Sequence, residues 1–415
     1  MGSATQIRAI VLSALASHLS TVACAHGDVR TEAAGRDQVA RIERVEKGLP
    51  AIPAAGTEPA LQLNLQQSMR RFQVPGLSIA VIDHFRIVWA KGYGVKEAGS
   101  RVPVTVRTIF EAGSISKAVS AIGALTLAER EKLSLDENVN LKLKSWQVPD
   151  NEFTSGQKVT LRRLLSHSAG LTVHGFAGYP VGSPIPTLVQ VLNGTPPANS
   201  KPVRVAFVPG TKYSYSGGGI TVEQLLITDV TGETFPKFMQ EAVLKKVGML
   251  DSTYEQPLPS LRAPMAATGT DGSGKSIPGK WHVYPEMAAA GLWTTATDLA
   301  KFAIEVALSK QGNANHVLSE AMTREMLTPQ IDHRGLGFGV GDFDTPEEFE
   351  HDGDDAGFNA VLIMFADSGK GVAIMCNSDN GHDVEEYLIR SVANEYGWRY
   401  HPDPDSSLPR SVTTR

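Results

Sequence analysis

Strand-like segments lie near both ends of this chain, and a long stretch of helical patches and loops separates them. Residues 77–95 contain two β-rich runs around a turn at residues 83–85, which predicts a hairpin. Near the other end, residues 335–343, 358–367 and 371–379 carry the glycine-rich or alternating apolar runs of successive antiparallel strands. These segments predict one sheet built from two distant parts of the chain, with a site at the seam with the helical insert.

Helical signals place helices from Ser114 onward, after Thr295 and at residues 383–398. Together with the strands they predict an α/β (α+β) fold with an antiparallel sheet, flanking helices and a helical insert. The predicted parts are an α/β domain at 58–130 and 290–402, a mainly helical inserted domain at 131–289 and a flexible tail at 403–415.

The N-terminal residues have the composition of a secretory signal. Arg8 precedes an apolar run over residues 9–16, and residues 23–25 resemble a cleavage site. We therefore predict a signal peptide at 1–25, export to the periplasm or the medium, and a linker at 26–57; a disordered N-terminal tail is the alternative. No later segment reaches the roughly 18 continuous apolar residues of a membrane helix, so no membrane segment is expected after processing.

Charge and composition exclude several classes of protein. The net charge of −5 lacks the basic footprint of a nucleic-acid-binding protein. Only Cys24 and Cys376 are present, so a disulfide framework is not expected, and Cys376 is predicted to be a buried, inert thiol. Lipidation of Cys24 stays open. The eleven histidines show no metal-ligand spacing, so no metal and no other cofactor is predicted.

The segment FEAGSISKAVSAIGALTLAER, residues 110–130, places Ser114 three positions before Lys117 at a predicted helix start. Residues three apart share a helix face, so the amine can reach the hydroxyl. The N–H groups of the first turn would also favour negative charge on an attacked carbonyl oxygen. Lysine acts as a base only when its pKa is lowered toward neutrality. Taken alone, the pattern favours a simpler interpretation, with Ser114 as a cap and Lys117 in solvent.

Two later stretches change that interpretation. FVPGTKYSYSGGG contains Tyr215-Ser216-Gly217, and EHDGDDAGF contains His351-Asp352-Gly353. After S-x-x-K, these motifs in this order resemble the serine β-lactamase and penicillin-binding protein superfamily, in particular its class C β-lactamase-like branch of esterases and peptidases. The resemblance extends from about residue 60 to 395. It implies an antiparallel sheet flanked by helices with an inserted all-helical domain.

The resemblance also implies roles for individual residues. Ser114 resembles the nucleophile that forms the acyl-enzyme, and Lys117 its activating partner. Tyr215 matches the phenol that moves the proton between the serine and the leaving group. His351 stands where the family has lysine or histidine and would hydrogen-bond into the site. The main-chain N–H groups of Ser114 and Asp354 would form the oxyanion hole.

Two positions that would border the substrate depart from the family's pattern. Gly217 occupies the place of the family's asparagine, and Asp352, before Gly353, replaces the usual threonine, serine or glycine. Asp354 and Asp355 follow closely. Like charges within about 4 Å cost roughly 4 kcal/mol at an effective dielectric near 20, so these acids argue against anionic ligands.

These departures predict an ester or amide hydrolase for neutral or cationic substrates, small molecules or peptides, with weak or no β-lactam turnover. The alternatives are a class C-type β-lactamase, a D-alanyl-D-alanine carboxypeptidase, and a catalytically silent penicillin-binding-type sensor that retains the framework.

Three other features resemble functional motifs or residues but are predicted to have no catalytic or nucleotide-binding role. GTDGSGKS, residues 269–276, matches the phosphate-loop pattern, but Pro278 and Gly279 prevent a helix from starting there, and a turn is predicted instead. His167, in LLSHSAGL, is predicted to make a fixed hydrogen bond and not to act as a base. Tyr213 competes with Tyr215, but the family's spacing favours Tyr215.

Overall fold

The computed structural model describes residues 35–50, 62–341 and 347–398. The predicted signal peptide, Cys24 and the tail predicted at 403–415 lie outside them. Among the described residues, every helix is too short or too polar to cross a membrane. The same part of the chain contains no group of three or more histidine, cysteine or acidic side chains arranged to hold a metal ion.

The strands of both end segments meet in one sheet. The described residues form ten strands: β1 Gly76–Asp83, β2 Arg86–Gly94, β3 Phe110–Glu111, β4 Tyr179–Pro180, β5 His282–Val283, β6 Trp293–Thr294, β7 Gly339–Val340, β8 Glu348–Asp355, β9 Phe358–Phe365 and β10 Lys370–Cys376. Six of them form an antiparallel sheet in the order β2, β1, β10, β9, β8, β7. The predicted β1–β2 hairpin and the joining of distant segments, at β1 and β10, are therefore confirmed.

Helices cover both faces of this sheet. The described residues form twelve α-helices: α1 35–47, α2 Leu65–Arg71, α3 Ile115–Glu129, α4 Leu161–Leu165, α5 Leu188–Asn193, α6 Gly217–Thr231, α7 Phe235–Met239, α8 Lys245–Val247, α9 Met287–Ala290, α10 Ala296–Lys310, α11 Glu320–Met326 and α12 Gly381–Tyr396. The hydroxyl of Thr295 accepts the Asp298 N–H and so caps α10, at the start that the sequence predicts.

Strand β1 contributes side chains to two separate hydrophobic cores. Leu77, Ile79 and Val81 pack into the core that includes residues of α1, α2 and α12. Ala80 and Ile82 pack into the larger core, which includes α3, α6 and α10. Successive side chains of a strand point to opposite faces, so both faces of β1 are covered. This burial explains why the strand has an almost continuous apolar sequence.

The predicted linker at 26–57 is wrong over residues 35–47, which form α1. Val45 is buried in the core shared with α12, and Arg44 pairs with Glu395 of α12 at 2.7 Å. Glu43 and Lys47 are exposed on the outer face and 3.2 Å apart. The charged residues that suggested irregular backbone therefore form the solvated face of an amphipathic helix.

Residues 131–289 contain fewer helical residues than the sequence predicts. Long irregular connections separate short helices such as α4 and α5, and only α6 reaches 15 residues. Proline and glycine interrupt the helical patches. Leu164 of α4 and Ile220 of α6 belong to the same core as α3, and α6 packs beside α3. The boundary at residue 131 stays a prediction, and the hydrophobic core continues across it.

The phosphate-loop pattern at residues 269–276 forms a tight turn. The Asp271 N–H donates to the Lys275 carbonyl at 2.7 Å, and the Gly274 N–H donates back to the Asp271 carbonyl at 2.9 Å. No helix begins at Lys275. The turn predicted for this segment is therefore confirmed.

Candidate active site

Ser114 stands at the start of α3, three residues after the end of β3. Its backbone is helical, with φ −66° and ψ −13°, and its side chain makes no capping hydrogen bond. The Oγ atom instead lies 2.7 Å from Nζ of Lys117, one turn along the same face of the helix. The structure contradicts the interpretation of Ser114 as a simple helix cap.

Lys117 is buried, with only 2% of its surface exposed. Its Nζ donates to the main-chain oxygen of Ala289 at 2.7 Å, in addition to its contact with Ser114. Burial lowers the pKa of Lys117 to about 7, while the negative charges of Asp355 and Asp352 oppose this shift. A large fraction of Lys117 is therefore an uncharged amine at neutral pH, the form that can accept a proton.

Tyr215 immediately precedes the cap of α6. Burial raises the pKa of Tyr215 above the ordinary value, and the interaction of its phenol with the Ser114 side chain opposes this shift, so the phenol keeps its proton. Nζ of Lys117 lies 5.0 Å from the centre of the Tyr215 ring. The competing Tyr213 lies instead under the guanidinium of Arg334, at 5.2 Å. Lys117 and Tyr215, from two distant motifs, thus lie beside the hydroxyl of Ser114.

Strand β8 runs directly against the turn that carries Ser114. A Cβ atom placed on Gly113 would lie 2.3 Å from the nitrogen of Asp354, and one on Gly353 would lie 2.0 Å from the oxygen of Ala112. Gly113 also has a φ of +50°, in the left-handed region that favours glycine. The two glycines let the backbones touch, which brings the Asp354 N–H beside the Ser114 turn, where the predicted oxyanion hole requires it.

His351 is buried beside this contact, with 7% of its surface exposed. Its Nδ1 lies 2.6 Å from the main-chain oxygen of Asp352. Burial lowers the pKa of His351 to about 4, so the ring is neutral at pH 7. With Nδ1 protonated and donating to the carbonyl, Nε2 is left as an acceptor. His351 therefore supplies no positive charge for an anionic substrate at neutral pH.

The three aspartates that follow His351 lie in different environments. Asp352 and Asp354 are exposed, but Asp355 is buried behind the Ser114 turn. Burial raises the pKa of Asp355, and burial together with the charge of Asp355 raises that of Glu111 in β3. Asp352 and Asp354 therefore present their carboxylates to solvent on the face of β8 opposite His351 and Asp355, a distinction that the sequence does not make.

The space next to Gly217 is occupied by the loop at residues 172–178. The Gly217 N–H donates to the carbonyl of His174 at 2.9 Å. A Cβ atom on Gly217 would lie 3.0 Å from that carbonyl oxygen and 3.1 Å from a ring carbon of Phe176. The loop thus fills the place that the family's asparagine side chain would take.

Restoring asparagine at this position is expected to destabilise the protein. Gly217→Asn should cost about 1–3 kcal/mol of unfolding free energy, because the new side chain overpacks the contact with His174 and Phe176. Gly219→Ala is the matched control, since a Cβ atom there meets its nearest neighbour at 3.5 Å. Urea denaturation measures both variants; a Gly217→Asn protein as stable as wild type would contradict this description of the loop.

Two imidazole rings flank Tyr215. The ring centres of His167 and His174 lie 4.4 Å and 4.8 Å from that of Tyr215. The sequence predicts a fixed hydrogen bond for His167, and its Nδ1 does accept the Ser216 N–H at 3.2 Å. Sequence reasoning missed His174 and Ala289, because neither lies in a recognised motif and only the folded chain brings them to Tyr215 and Lys117.

Comparisons with known proteins agree with this arrangement. The family model described as Beta-lactamase matches residues 61–396. An unguisins hydrolase of Aspergillus violaceofuscus is 26% identical over 359 residues, which cover 75% of this chain and 60% of the relative. The chain thus spans less than two thirds of the length of that relative.

Solved structures show the same fold. The octameric penicillin-binding protein homologue from Pyrococcus abyssi is 24% identical, with a TM-score of 0.66 over 83% of this chain and 78% of that one. A β-lactamase/D-alanine carboxypeptidase from Yersinia pestis in complex with citrate is 17% identical, with a TM-score of 0.60 over 79% of this chain and 96% of that one. They confirm the predicted fold class, an antiparallel sheet with helices. Because the family model matches most of its length, the chain belongs to the Beta-lactamase family.

Proposed function

We propose that this chain is a serine hydrolase that forms an acyl-enzyme on Ser114. The observation that carries the proposal is the 2.7 Å contact between Ser114 Oγ and the buried Nζ of Lys117. A serine hydroxyl is a weak nucleophile until a neighbouring base takes its proton. Burial lowers the pKa of Lys117 to about 7, so the amine serves as that base near neutral pH.

Acylation then follows from the positions of the named groups. The amine of Lys117 takes the hydroxyl proton as Oγ of Ser114 attacks the substrate carbonyl, and the carbonyl electrons move onto its oxygen. The N–H groups of Ser114 and Asp354 stabilise this oxyanion. When the oxyanion collapses, the bond to the leaving group breaks, the phenol of Tyr215 donates its proton to that group, and the Lys117 ammonium returns a proton to Tyr215. Water repeats the sequence in deacylation and releases the acid.

The charges near Ser114 favour neutral or cationic substrates. The negative charge of the exposed Asp352 acts on both Lys117 and Tyr215, and His351 is neutral at pH 7 because burial lowers its pKa to about 4. The guanidinium of Arg334 lies 3.4 Å from the carboxylate of Glu350, which offsets its charge. We therefore propose an esterase or a peptide or amide hydrolase with weak β-lactam turnover. The unguisins hydrolase among its relatives supports hydrolysis as the reaction class.

A substrate panel tests this preference. We expect p-nitrophenyl esters or D- and L-amino-acid anilides to be hydrolysed at least about tenfold more efficiently in kcat/KM than nitrocefin, whose carboxylate meets the acidic residues. Asp352→Asn should improve nitrocefin turnover relative to the neutral ester. The control is Asp367→Asn. This exposed aspartate follows the end of β9 that is farther from the Ser114 turn. Efficient nitrocefin hydrolysis by the wild type would contradict the proposed substrate class.

The pH profile reports the protonation state of Lys117. Because the unprotonated amine is the active form, kcat/KM for a neutral ester should rise with pH, with an apparent pKa near 7, and level off above pH 8. The lowered pKa of His351, about 4, keeps its titration out of this range. Initial rates between pH 5 and 9 measure the profile, and a rate that falls as pH rises through 7 would contradict the role of Lys117 as a base.

A further inference from the structure

His167 holds both residues that flank Tyr215 in the chain. Its main-chain oxygen accepts the Ser214 N–H at 2.8 Å, and its Nδ1 accepts the Ser216 N–H at 3.2 Å. Its imidazole also packs against the Tyr215 ring, with ring centres 4.4 Å apart. One buried residue therefore fixes the N–H groups of the residues on either side of the tyrosine and supports its ring.

The backbone of His167 is arranged for this contact. It follows α4 with a φ of +54°, in the left-handed region that non-glycine residues seldom adopt. The cap of α4 is Ser166, so the chain leaves the helix just before His167. Backbone strain of this kind persists only where surrounding contacts determine it. Here those contacts are the hydrogen bond that closes the end of α4, from the Ser168 N–H to the Arg163 carbonyl at 2.9 Å, and the hydrogen bonds with Ser214 and Ser216.

The hydrogen bond to Nδ1 also fixes the charge of the ring. Since Nδ1 accepts, a neutral imidazole must carry its proton on Nε2. A second proton would remove the acceptor and place a cation among the basic groups that face the ring, namely Lys117, His351, Arg334 and His174. Burial, followed by these charges, lowers the pKa of His167 well below its ordinary value. The contact with Ser216 is therefore kept at neutral pH.

We infer that His167 is a positioning residue that holds the Tyr215 phenol in line with Ser114 through its contacts with Ser214, Ser216 and the tyrosine ring. The inference rests on the proposed function, in which Tyr215 delivers the proton to the leaving group. His167 acts only through Tyr215. Its loss should therefore lower kcat through misplacement of the phenol, while KM changes little.

A double-mutant cycle tests this inference with two substitutions that tolerate a positive φ. His167→Gly removes the imidazole without backbone strain. His167→Asn is the conservative variant, because asparagine adopts this conformation and places its Oδ1 acceptor where Nδ1 stands. Each is combined with wild-type Tyr215 and with Tyr215→Phe, which keeps the ring and removes the hydroxyl. The readouts are kcat and KM for one ester and the thermal midpoint of every variant.

We expect His167→Gly to lower kcat about 30-fold and His167→Asn less than about fivefold, with KM within about threefold of wild type. In the Tyr215→Phe background both substitutions should change kcat less than about twofold, because the group that His167 positions is already gone. Equal losses in both backgrounds, or a wild-type kcat in His167→Gly, would overturn the inference. If His167→Gly does not fold, the same comparison is made with His167→Asn. An equal loss of kcat for His167→Asn in the wild-type and Tyr215→Phe backgrounds would then overturn the inference.

The cycle separates this inference from the proposed function. Tyr215→Phe alone should lower kcat by about 100-fold if the phenol delivers the proton. An unchanged kcat in Tyr215→Phe would contradict the proposed proton transfer, and with it the basis of the inference. A large loss of kcat in Tyr215→Phe, together with His167 effects that are the same in both backgrounds, would contradict only the positioning role of His167. The proposed function would still hold.

Discussion

Ser114→Ala is expected to lower kcat for ester hydrolysis by about 10⁴-fold or more. The substitution removes the oxygen that would form the bond to the acyl group. Stability should fall by about 1 kcal/mol, because the Ser114 hydroxyl accepts one of the hydrogen bonds of the buried Lys117 amine. The measurement is the initial rate with a p-nitrophenyl ester, together with the thermal midpoint of both proteins.

Ser116→Ala is the matched control on the same helix. Its Oγ accepts the Leu292 N–H at 3.0 Å in the buried core, so its loss should cost about 1–2 kcal/mol of stability. Turnover should stay within about tenfold of wild type, since Ser116 makes a structural contact. Wild-type turnover by Ser114→Ala, or a greater loss in Ser116→Ala, would show that the nucleophile has been assigned to the wrong hydroxyl.

Lys117→Met is expected to lower kcat by about 10³-fold, close to the contribution of a positioned general base. Methionine keeps an unbranched buried side chain, with a sulfur in place of one methylene group, and removes the amine. The protein should remain folded with an equal or higher thermal midpoint, because no buried amine then needs desolvation. The residual rate should also lose the rise near pH 7, since the group with that pKa is gone.

The control for Lys117→Met is Lys310→Met, which removes a surface ion pair with Asp367 at 2.9 Å. Exposed pairs of this kind contribute roughly 0–1 kcal/mol, so stability and turnover should both stay near wild type. A Lys117→Met protein that retains more than about a tenth of the wild-type kcat would exclude the amine as the base that activates Ser114.

The sequence predicts the features that depend on short-range patterns. The β1–β2 hairpin follows from two β-rich runs around one turn, and β9 and β10 follow from apolar runs bounded by turn residues. The spacing of Ser114 and Lys117 predicts their contact, because three residues make nearly one helical turn. Local geometry determines each of these features, independently of contacts with distant parts of the chain.

Features that arise from contacts between distant segments are not predicted by short-range sequence patterns. The carbonyl of Ala289 reaches Lys117 across 172 positions of the chain. The loop around His174 fills the space beside Gly217, and no local pattern specifies that contact. The charged stretch at residues 35–47 is helical because Val45 finds a partner in α12. In each case tertiary packing decides the structure, and sequence pattern alone does not carry that information.

Reaction of the intact protein with a fluorophosphonate tests the central proposal most directly. An activated serine displaces fluoride and keeps the phosphonyl group, so mass spectrometry should find one adduct per chain, on the peptide that contains Ser114. The adduct should be absent from Ser114→Ala and should form far more slowly in Lys117→Met. Folded wild-type protein that stays unlabelled, as a silent binding module would, or that carries the adduct on another residue, would contradict the proposal.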